Sequence, residues 1–353
     1  SGDEATAKTL ALGVRQAAIG KISASATLIN GNSISASAYG SAFASLEGHG
    51  YATATGVSQI VTADAAESLV RNMGTISADA AAYASASLGT AIATGHAVGI
   101  RQYGGFGRVA SENLYSEGSI SADARATAVA SGKAHANVYA TGVQQKVTAT
   151  DVVSASVDNS ASITVDSYGS AIAAAAGPAT ATAAAAGLRT GADGTGVALV
   201  DLTNSSTITA NGVAHATSSG GFAAHAKVNA TGSSQSVGFL TSPGQSGATS
   251  HNTGDIDATA SARAQGSGNV YATAYAYGAY QYVNGAAANA DLYNGGNITA
   301  TAGATASLSG GVEQTGHAYA RVYAVTQSGH GDDADLTITN HGDITATATA
   351  TAT

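Results

Sequence analysis

The sequence predicts an all-β fold, a β-solenoid of the parallel β-helix type, from three observations. An Ile followed by alternating Ala recurs roughly every 44 residues along the chain of 353 residues. Apolar and polar residues alternate with the period of two that is typical of strands. Only 10% of the residues are charged, and the chain has 45 Gly but no Cys or Trp. This composition excludes a core of large side chains and a disulfide framework, but it suits a stack of thin Ala-lined layers.

Two landmarks establish the repeat. The first is the Ile, which occurs at Ile34, Ile76, Ile120, Ile163, Ile208, Ile256, Ile298 and Ile344. The second is a Gly followed by an aliphatic residue, any residue and Gln, and its Gln positions are Gln16, Gln59, Gln102, Gln145, Gln235, Gln281 and Gln327, with Thr190 in the fifth repeat. Both landmarks share one period. Eight repeats therefore fill residues 1–353 as a single array without a second domain.

A third column precedes each Ile by four residues. It consists of Asn30, Asn72, Asn159, Asn204, Asn252, Asn294 and Asn340, with Ser116 in the third repeat. In a stack of identical coils, buried amides can bond to their own copies above and below. Asn also satisfies backbone groups at turns, and Gly suits positions of close approach or positive φ. We therefore expect Asn and Gln columns inside the solenoid, and Gly at its corners.

Strands are favoured over helices and disorder. In Ile120–Ala128 one parity is Ile and Ala only, and the other is Ser, Asp, Arg and Thr. Ala is the best helix former, but polar residues at every second position would encircle a helix. A disordered tract would not keep its landmarks in phase. One coil per repeat is favoured over two, because the strand Ile120–Ala130 leaves little room for further sides, and eight coils would be roughly 40 Å tall.

Two phrases carry a resemblance to a known family. Asn72–Ala78 (Asn-Met-Gly-Thr-Ile-Ser-Ala) and Ala140–Gln145 (Ala-Thr-Gly-Val-Gln-Gln) are similar to repeats of Gram-negative autotransporter-type and "β-strand repeat" surface passenger proteins. The resemblance covers the whole chain. It implies export, a place outside the cell at the bacterial surface, and adhesive or matrix roles, and it supplies no catalytic residues.

Candidate catalytic and metal-binding residues do not form a convincing site, and we expect no enzyme activity and no cofactor. The best acidic column has no Lys or His partner; it is Asp79, Asp123 and Asp166. Four of the nine His share one position, seven residues before the landmark Gly or Ala, but they occur in alternate repeats, too far apart to share one zinc ion; they are His49, His135, His225 and His317. The alternative is a calcium ion near Asp332, Asp333 and Asp335, since calcium prefers oxygen ligands.

The outward residues suggest one surface site. Tyr residues and one Arg share a face of two consecutive repeats: Tyr271, Tyr275, Tyr277, Tyr319, Arg321 and Tyr323. Tyr275 and Arg321 are predicted column neighbours, where a cation–π contact would form. Exposed aromatic patches often bind partners, so this face is the candidate for a glycan, a host cell surface or a neighbouring filament. A further alternative is ice binding by outward Thr pairs, here Thr299, Thr301, Thr345, Thr347 and Thr349.

Charge and segment order bear on partners. A net charge of −9 with 13 Lys and Arg argues against nucleic acid, and no apolar run is long enough to span a membrane. The sequence starts in the Gly and Gln half of a repeat and ends in the Ile and Ala half. These complementary halves fit either a segment of a longer array or a head-to-tail homopolymer, and the homopolymer is the prediction. The predicted function is a structural filament or matrix subunit, or an adhesin stalk, that assembles end to end.

Overall fold

The computed structural model describes residues 3–175, 177–239, 244–309 and 314–353. Within these ranges the regular structure is entirely β, and neighbouring strands are parallel throughout. The predicted β-solenoid is thus confirmed. Its strands are β1 (Glu4–Ile19), β2 (Ser23–Asn30), β3 (Ser33–Ala44), β4 (Glu47–Thr62), β5 (Ala65–Asn72), β6 (Thr75–Ala86), β7 (Thr90–Ser116), β8 (Ile120–Ala130), β9 (Ala134–Asn159), β10 (Ile163–Ala173), β11 (Ala179–Gly194), β12 (Val197–Asn204), β13 (Ile208–Ser218), β14 (Ala224–Phe239), β15 (Gln245–Asn252), β16 (Ile256–Gly266), β17 (Val270–Asn284), β18 (Ala287–Asn294), β19 (Ile298–Leu308), β20 (Gly316–His330), β21 (Asp333–Asn340) and β22 (Ile344–Ala352).

Each repeat makes one coil, which runs through a long first strand, a short second strand and a third strand. Coil 1 is β1 to β3, and coil 2 is β4 to β6; in coils 3 and 4 the first and second strands are continuous, as β7 and β9. Coils 5 to 8 again have three strands each, from β11 to β22. Ile34 pairs with Ile76, and Ile76 with Ile120, so each landmark lies directly above its copy. The interpretation of one coil per repeat is confirmed.

The strands form two sheets. The third strands make a sheet of eight, and the first and second strands together make a sheet of 14. Each repeat therefore contributes one strand to the smaller sheet and two strand segments to the larger one. In coil 1 the chain leaves β1 at Ile19, turns through residues 20–22 and returns as β2. A separate second strand lies opposite the end of the first.

The main core lies between the first strands and the third strands. It is lined almost wholly by Ala, with the Ile column at one side. The two sheets are so close that a Cβ at Gly40 would lie 2.3 Å from the backbone oxygen of Tyr51 on the facing strand. A smaller second core, which includes Val61, Val147 and Val200, lies between the ends of the first strands and the second strands. The small side chains are what allows the layers to approach.

The Gly of the second landmark is the point where each first strand bends. A Cβ at Gly142 would lie 2.5 Å from Cγ2 of Ile163 and 2.6 Å from the backbone oxygen of Gly187 in the next coil. Positive φ occurs among the described glycines only at Gly105 and Gly221. Gly is therefore required at these corners because side chains and backbone of neighbouring strands lie so close, and not because of positive φ. Close approach was one of the two expected reasons.

The bend also makes the outer face concave. In coil 2, Gly56 and the next residue, Val57, both point inward, which reverses the alternation of the strand. On either side of this corner, outward residues are covered: Thr55 is 2% exposed and Ser58 is 8% exposed. We call this depression the bend groove. It consists of the columns of Thr55 and Ser58, and it runs along the stacking axis.

Candidate functional surfaces

The Gln column forms a ladder of side-chain hydrogen bonds inside the solenoid. Where the preceding coil also has Gln, Nε2 donates to Oε1 of that Gln. It also donates to a backbone oxygen of the second strand, as Gln59 does to Leu69 at 3.1 Å. The ladder distances are 2.6 Å for Gln59 to Gln16, 3.1 Å for Gln102 to Gln59, 2.9 Å for Gln145 to Gln102, 2.7 Å for Gln281 to Gln235 and 2.8 Å for Gln327 to Gln281. The predicted Gln column is confirmed as a hydrogen-bonded structure.

The Asn column forms a second ladder at the turn between the second and third strands. Here Nδ2 donates to Oδ1 in the following coil, at 2.9 Å for Asn30 to Asn72, 2.8 Å for Asn159 to Asn204, 2.7 Å for Asn204 to Asn252, 2.8 Å for Asn252 to Asn294 and 2.8 Å for Asn294 to Asn340. The same nitrogen also donates to a turn oxygen, as Asn340 does to Gly342 at 2.8 Å. Both predicted roles of the Asn column are therefore present. The two ladders donate in opposite directions along the axis.

Each ladder is interrupted once. Thr190 replaces Gln in coil 5, and the buried Oε1 of Gln145 below it has no hydrogen-bond partner. Ser116 replaces Asn in coil 3, and the buried Oδ1 of Asn159 above it likewise has none. Each of these unpaired oxygens is the atom to which the side-chain amide of the missing Gln or Asn would have donated. The interruptions thus leave two specific defects in an otherwise continuous network.

The predicted Tyr face is assembled on β17 and β20. Tyr277 stacks on Tyr323, with ring centroids 5.4 Å apart and an angle of 16°. Tyr271 lies between two His rings, at 4.6 Å from His225 and 5.2 Å from His317, and Tyr275 is 5.8 Å from Tyr319. Tyr275 and Arg321 are column neighbours, as expected. The cation–π contact differs, however, because Arg321 lies 4.8 Å from the ring of Tyr323 on its own strand.

The other candidate residues lie where the register predicts, but they do not converge. His49, His135, His225 and His317 occupy one outward column in alternate coils. Asp79, Asp123 and Asp166 are stacked, and Asp123 is paired with Arg125 at 2.6 Å. Asp332, Asp333 and Asp335 are exposed. Within the described ranges there is no group of three or more His, Asp or Glu arranged to hold a metal. The Thr residues of β19 and β22 are also in register, on the outer face of the third-strand sheet.

Comparison of the chain with protein-family models, curated proteins and solved structures found no match. The part of the chain that the structure describes has no helix long and apolar enough to cross a membrane.

The bend groove is a surface that the sequence interpretation missed. Two of its cavities, of about 380 Å³ and 360 Å³, both have Gln144 and Arg189 in their walls. The first is completed by His96, Arg101 and Tyr139, among others. Burial, followed by the charge of Arg101, lowers the pKa of His96. The groove therefore joins residues of coils 3, 4, 5 and 6 into one continuous polar surface.

Positive charge is concentrated on this face. Of the 13 Lys and Arg residues, seven lie on the outer side of the first strands: Lys8, Arg15, Arg101, Lys146, Arg189, Lys227 and Arg321. The second landmark already indicated this concentration of positive charge. The residue before Gln is Arg in the first and third repeats, and Arg189 has the same position in the fifth. The net charge of −9 concealed it, because the acids are mostly on the other strands.

Proposed function

We propose that this protein is a structural component of the bacterial exterior, a filament or matrix subunit or an adhesin stalk, in which solenoids join end to end. The observation that carries the proposal is the match between the two open ends of the stack. Each end presents the complement of what the other presents, in backbone groups, ladder amides and apolar side chains. The extracellular setting comes from the resemblance of the repeats to surface passengers.

The backbone edges are the first component. In a parallel strand, alternate residues direct their N–H and C=O groups to opposite neighbours. Asp343 and Thr353 bond to coil 7, at 2.8 Å to Ile298 and 3.0 Å to Ala306. The even-numbered residues of β22 therefore direct their groups away from the stack. Such open edges are templates for further strand pairing.

The ladders give this edge a direction. Gln16 has one amide hydrogen beyond its bond to the oxygen of Thr27, and Oε1 of Gln327 is a free ladder acceptor among the described residues. Nδ2 of Asn340 is the corresponding donor, and Oδ1 of Asn30 the corresponding acceptor. When coil 8 of one molecule meets coil 1 of the next, a donor faces an acceptor in both the Gln and the Asn columns. When two identical ends meet, donors would face donors and acceptors would face acceptors.

Apolar side chains at coil 8 are the third component. Leu336, Ile338 and Ile344 are 42%, 49% and 39% exposed, although they belong to interior columns. Their counterparts in coil 7 are buried, with Leu292 at 2% and Ile298 at 0%. Covering such side chains is favourable, at about 25 cal/mol for each Å² of apolar surface removed from water.

One residue weakens the junction. Ala324 stands where the preceding seven coils have Gly, and a Cβ at Gly278 would lie 2.4 Å from the backbone oxygen of Ala324. By the same geometry, the methyl group of Ala324 is directed at the corner oxygen of any coil placed on coil 8. A joint between two molecules is therefore looser at this corner than the joints within one.

The test uses the purified chain, with sedimentation velocity and electron microscopy over a concentration series. Ala348→Pro removes an N–H from the open edge without affecting the bonds to β19, and should abolish end-to-end filaments. Ala324→Gly should lengthen them. Thr347→Ala, on the outer face, is the matched control and should leave assembly unchanged. Wild type and Ala324→Gly that both remain monomeric at high concentration would overturn the proposal.

A second candidate function is supported by the stacked rings of the Tyr face. Tyr319 is 49% exposed and its ring lies 5.8 Å from that of Tyr275, and the rings of Tyr277 and Tyr323 form a stacked pair on the same face. Flat aromatic surfaces of this kind suit the apolar faces of sugars, so a carbohydrate-binding adhesin is the alternative. Glycan-array binding that Tyr277→Ala abolishes and Tyr115→Ala, on the second strand of coil 3, leaves intact would favour it. An array without any bound glycan would exclude it.

A further inference from the structure

The bend groove between coils 3 and 5 contains two arginines without a counter-ion. Of the six other arginines, three are paired with carboxylates: Arg71, Arg108 and Arg125, at 3.4, 3.0 and 2.6 Å. Among the described residues, Arg101 and Arg189 have no carboxylate partner, and Nε of Arg101 is buried without any hydrogen bond. Nε of Arg101 is shielded from water, whereas Arg189 is open to solvent at the edge of the same cavity. An anion from solution could therefore reach both guanidinium groups and supply the acceptor that Arg101 lacks.

The chemistry of the side chains specifies the anion. The planar guanidinium group matches a carboxylate or a sulfate through two parallel N–H donors, and it binds such groups better than Lys does. Gln144 lies between the two arginines and can both donate and accept, and the cavity is also lined by Tyr139 and the hydroxyl-bearing Thr141. Asp193, a carboxylate of the adjoining cavity, is paired with Lys146 at 3.9 Å. Hydroxyl, amide and aromatic groups around the two arginines are what an acidic sugar requires.

The spacing of the arginines indicates a chain rather than a single small ion. Arg101 and Arg189 are two coils apart in one column, and Arg15 lies two coils before Arg101. Coils are separated by about 4.8 Å, so the charges recur at roughly 9.6 Å along the axis. An extended pyranose chain advances by about one sugar per coil, and it would place an acidic group at each arginine.

We propose that the bend groove binds an acidic polysaccharide, lying along the solenoid axis with its anionic groups on Arg101 and Arg189. This site occupies coils 3 to 5 and does not include the solenoid ends. The column of Thr55 continues from it to Tyr277 and Tyr323, so the Tyr face lies further along the same groove in coils 7 and 8. It does not depend on end-to-end assembly. The binding measurement is made on the Ala348→Pro chain, so that a failure of the site and a failure of assembly are separate results.

The experiment measures fluorescence anisotropy of a labelled oligogalacturonate, a sulfated oligosaccharide of the same length, an uncharged oligosaccharide and a single-stranded oligonucleotide. We expect the two acidic sugars to bind and the uncharged one not to; the ratio of the acidic sugars identifies the anionic group. Arg101→Gln with Arg189→Gln should weaken binding at least ten-fold. Arg263→Gln, an exposed arginine of β16 on the opposite sheet, should change binding less than two-fold.

A second variant guards against a folding defect. Gln144→Glu places a carboxylate between the two arginines, where it can pair with them, so the fold should persist while acidic sugar is excluded. Its circular dichroism should match that of the wild type, with binding at least ten-fold weaker. Equal binding of charged and uncharged sugars, unchanged binding in both arginine and Gln144 variants, or preference for the oligonucleotide would overturn the proposal.

Discussion

A Cβ at Gly104 would lie 3.1 Å from Oε1 of Glu112, so the absent side chain of one residue makes room for the carboxyl group of the other. Glu112 points into the second core and is fully buried, and neither oxygen has a well-formed hydrogen bond. Burial raises the pKa of Glu112 to about 8, and the backbone groups of Lys146 and Gly104 offset only part of this effect. At neutral pH this carboxyl group is therefore mostly protonated.

Glu112 should make the stability of the solenoid depend on pH. Between about pH 4.5 and pH 8 the folded chain holds a proton that the unfolded chain has lost, so the free energy of unfolding falls as pH rises. Glu112→Gln should reduce this fall, by up to about 4 kcal/mol between pH 5 and pH 8. Denaturant unfolding at both pH values measures it. Glu117→Gln, on the surface of the same coil, is the control; equal pH dependence in all three chains would contradict the assignment.

Repair of the Gln ladder should stabilise the protein. Thr190→Gln gives the orphan Oε1 of Gln145 a donor and gives Nε2 of Gln235 an acceptor. A satisfied hydrogen bond contributes about 1 kcal/mol, and removal of a buried orphan can add about 1–3 kcal/mol. The free energy of unfolding should rise accordingly. Thr182→Gln, outward on the same strand, should leave it unchanged, and a less stable Thr190→Gln chain would show that the column has no room for the amide.

The same reasoning applies to the Asn ladder. Ser116→Asn supplies the missing donor to Oδ1 of Asn159, and should raise the free energy of unfolding by about 1 kcal/mol. Ser111→Asn, on the outer face of the same strand, separates this effect from the general cost of introducing Asn into a strand. If both variants shift the unfolding midpoint equally, the continuity of the ladder is not what stabilises the stack.

Enlargement of an Ala in the main core should be costly. Ala124 is fully buried in β8, and a Cβ on the facing Gly95 would lie 2.5 Å from the backbone oxygen of the next residue, Arg125. Ala124→Leu should therefore destabilise the fold by about 1–3 kcal/mol or more. Thermal unfolding measures this. Thr127→Leu on the outer face is the control, and an Ala124→Leu chain as stable as that control would argue against closely apposed Ala sheets.

The corner glycines provide a matched pair. A Cβ at Gly142 would meet Ile163 and a backbone oxygen that cannot move independently, so Gly142→Ala should destabilise the solenoid by about 1–3 kcal/mol. Gly303 in β19 has open space around its Cβ position and no positive φ. Gly303→Ala should instead stabilise by about 0.4–1 kcal/mol, because it restricts the unfolded chain. Shifts of the same sign in both unfolding curves would contradict the explanation from close approach.

The sequence predicted the coils because their landmarks are periodic. Ile, Asn and Gln recur in phase, and a column of identical residues is visible without coordinates. The bend was not visible, since Gly56 and Val57 both face inward and a period of two cannot describe two successive inward residues. The shared column of Arg101 and Arg189 follows from the second landmark, but their place in a groove depends on the bend and emerged only from the structure. The replacement of Gly by Ala at position 324 could be seen in the sequence. That it weakens the joint to a further coil could be inferred only from the direction in which the methyl group points.

Hydrogen bonds between coils are directed along the stack, and coils 1 and 8 lie at its two ends. A pulling force applied to these ends would load one coil at a time rather than the whole sheet. Release of one coil of about 44 residues would lengthen the chain by roughly 150 Å, at the loss of about 5 Å of stack. Under compression the solenoid should therefore behave as a rod. Under tension it should extend by the release of successive coils, with a similar increase in length for each coil.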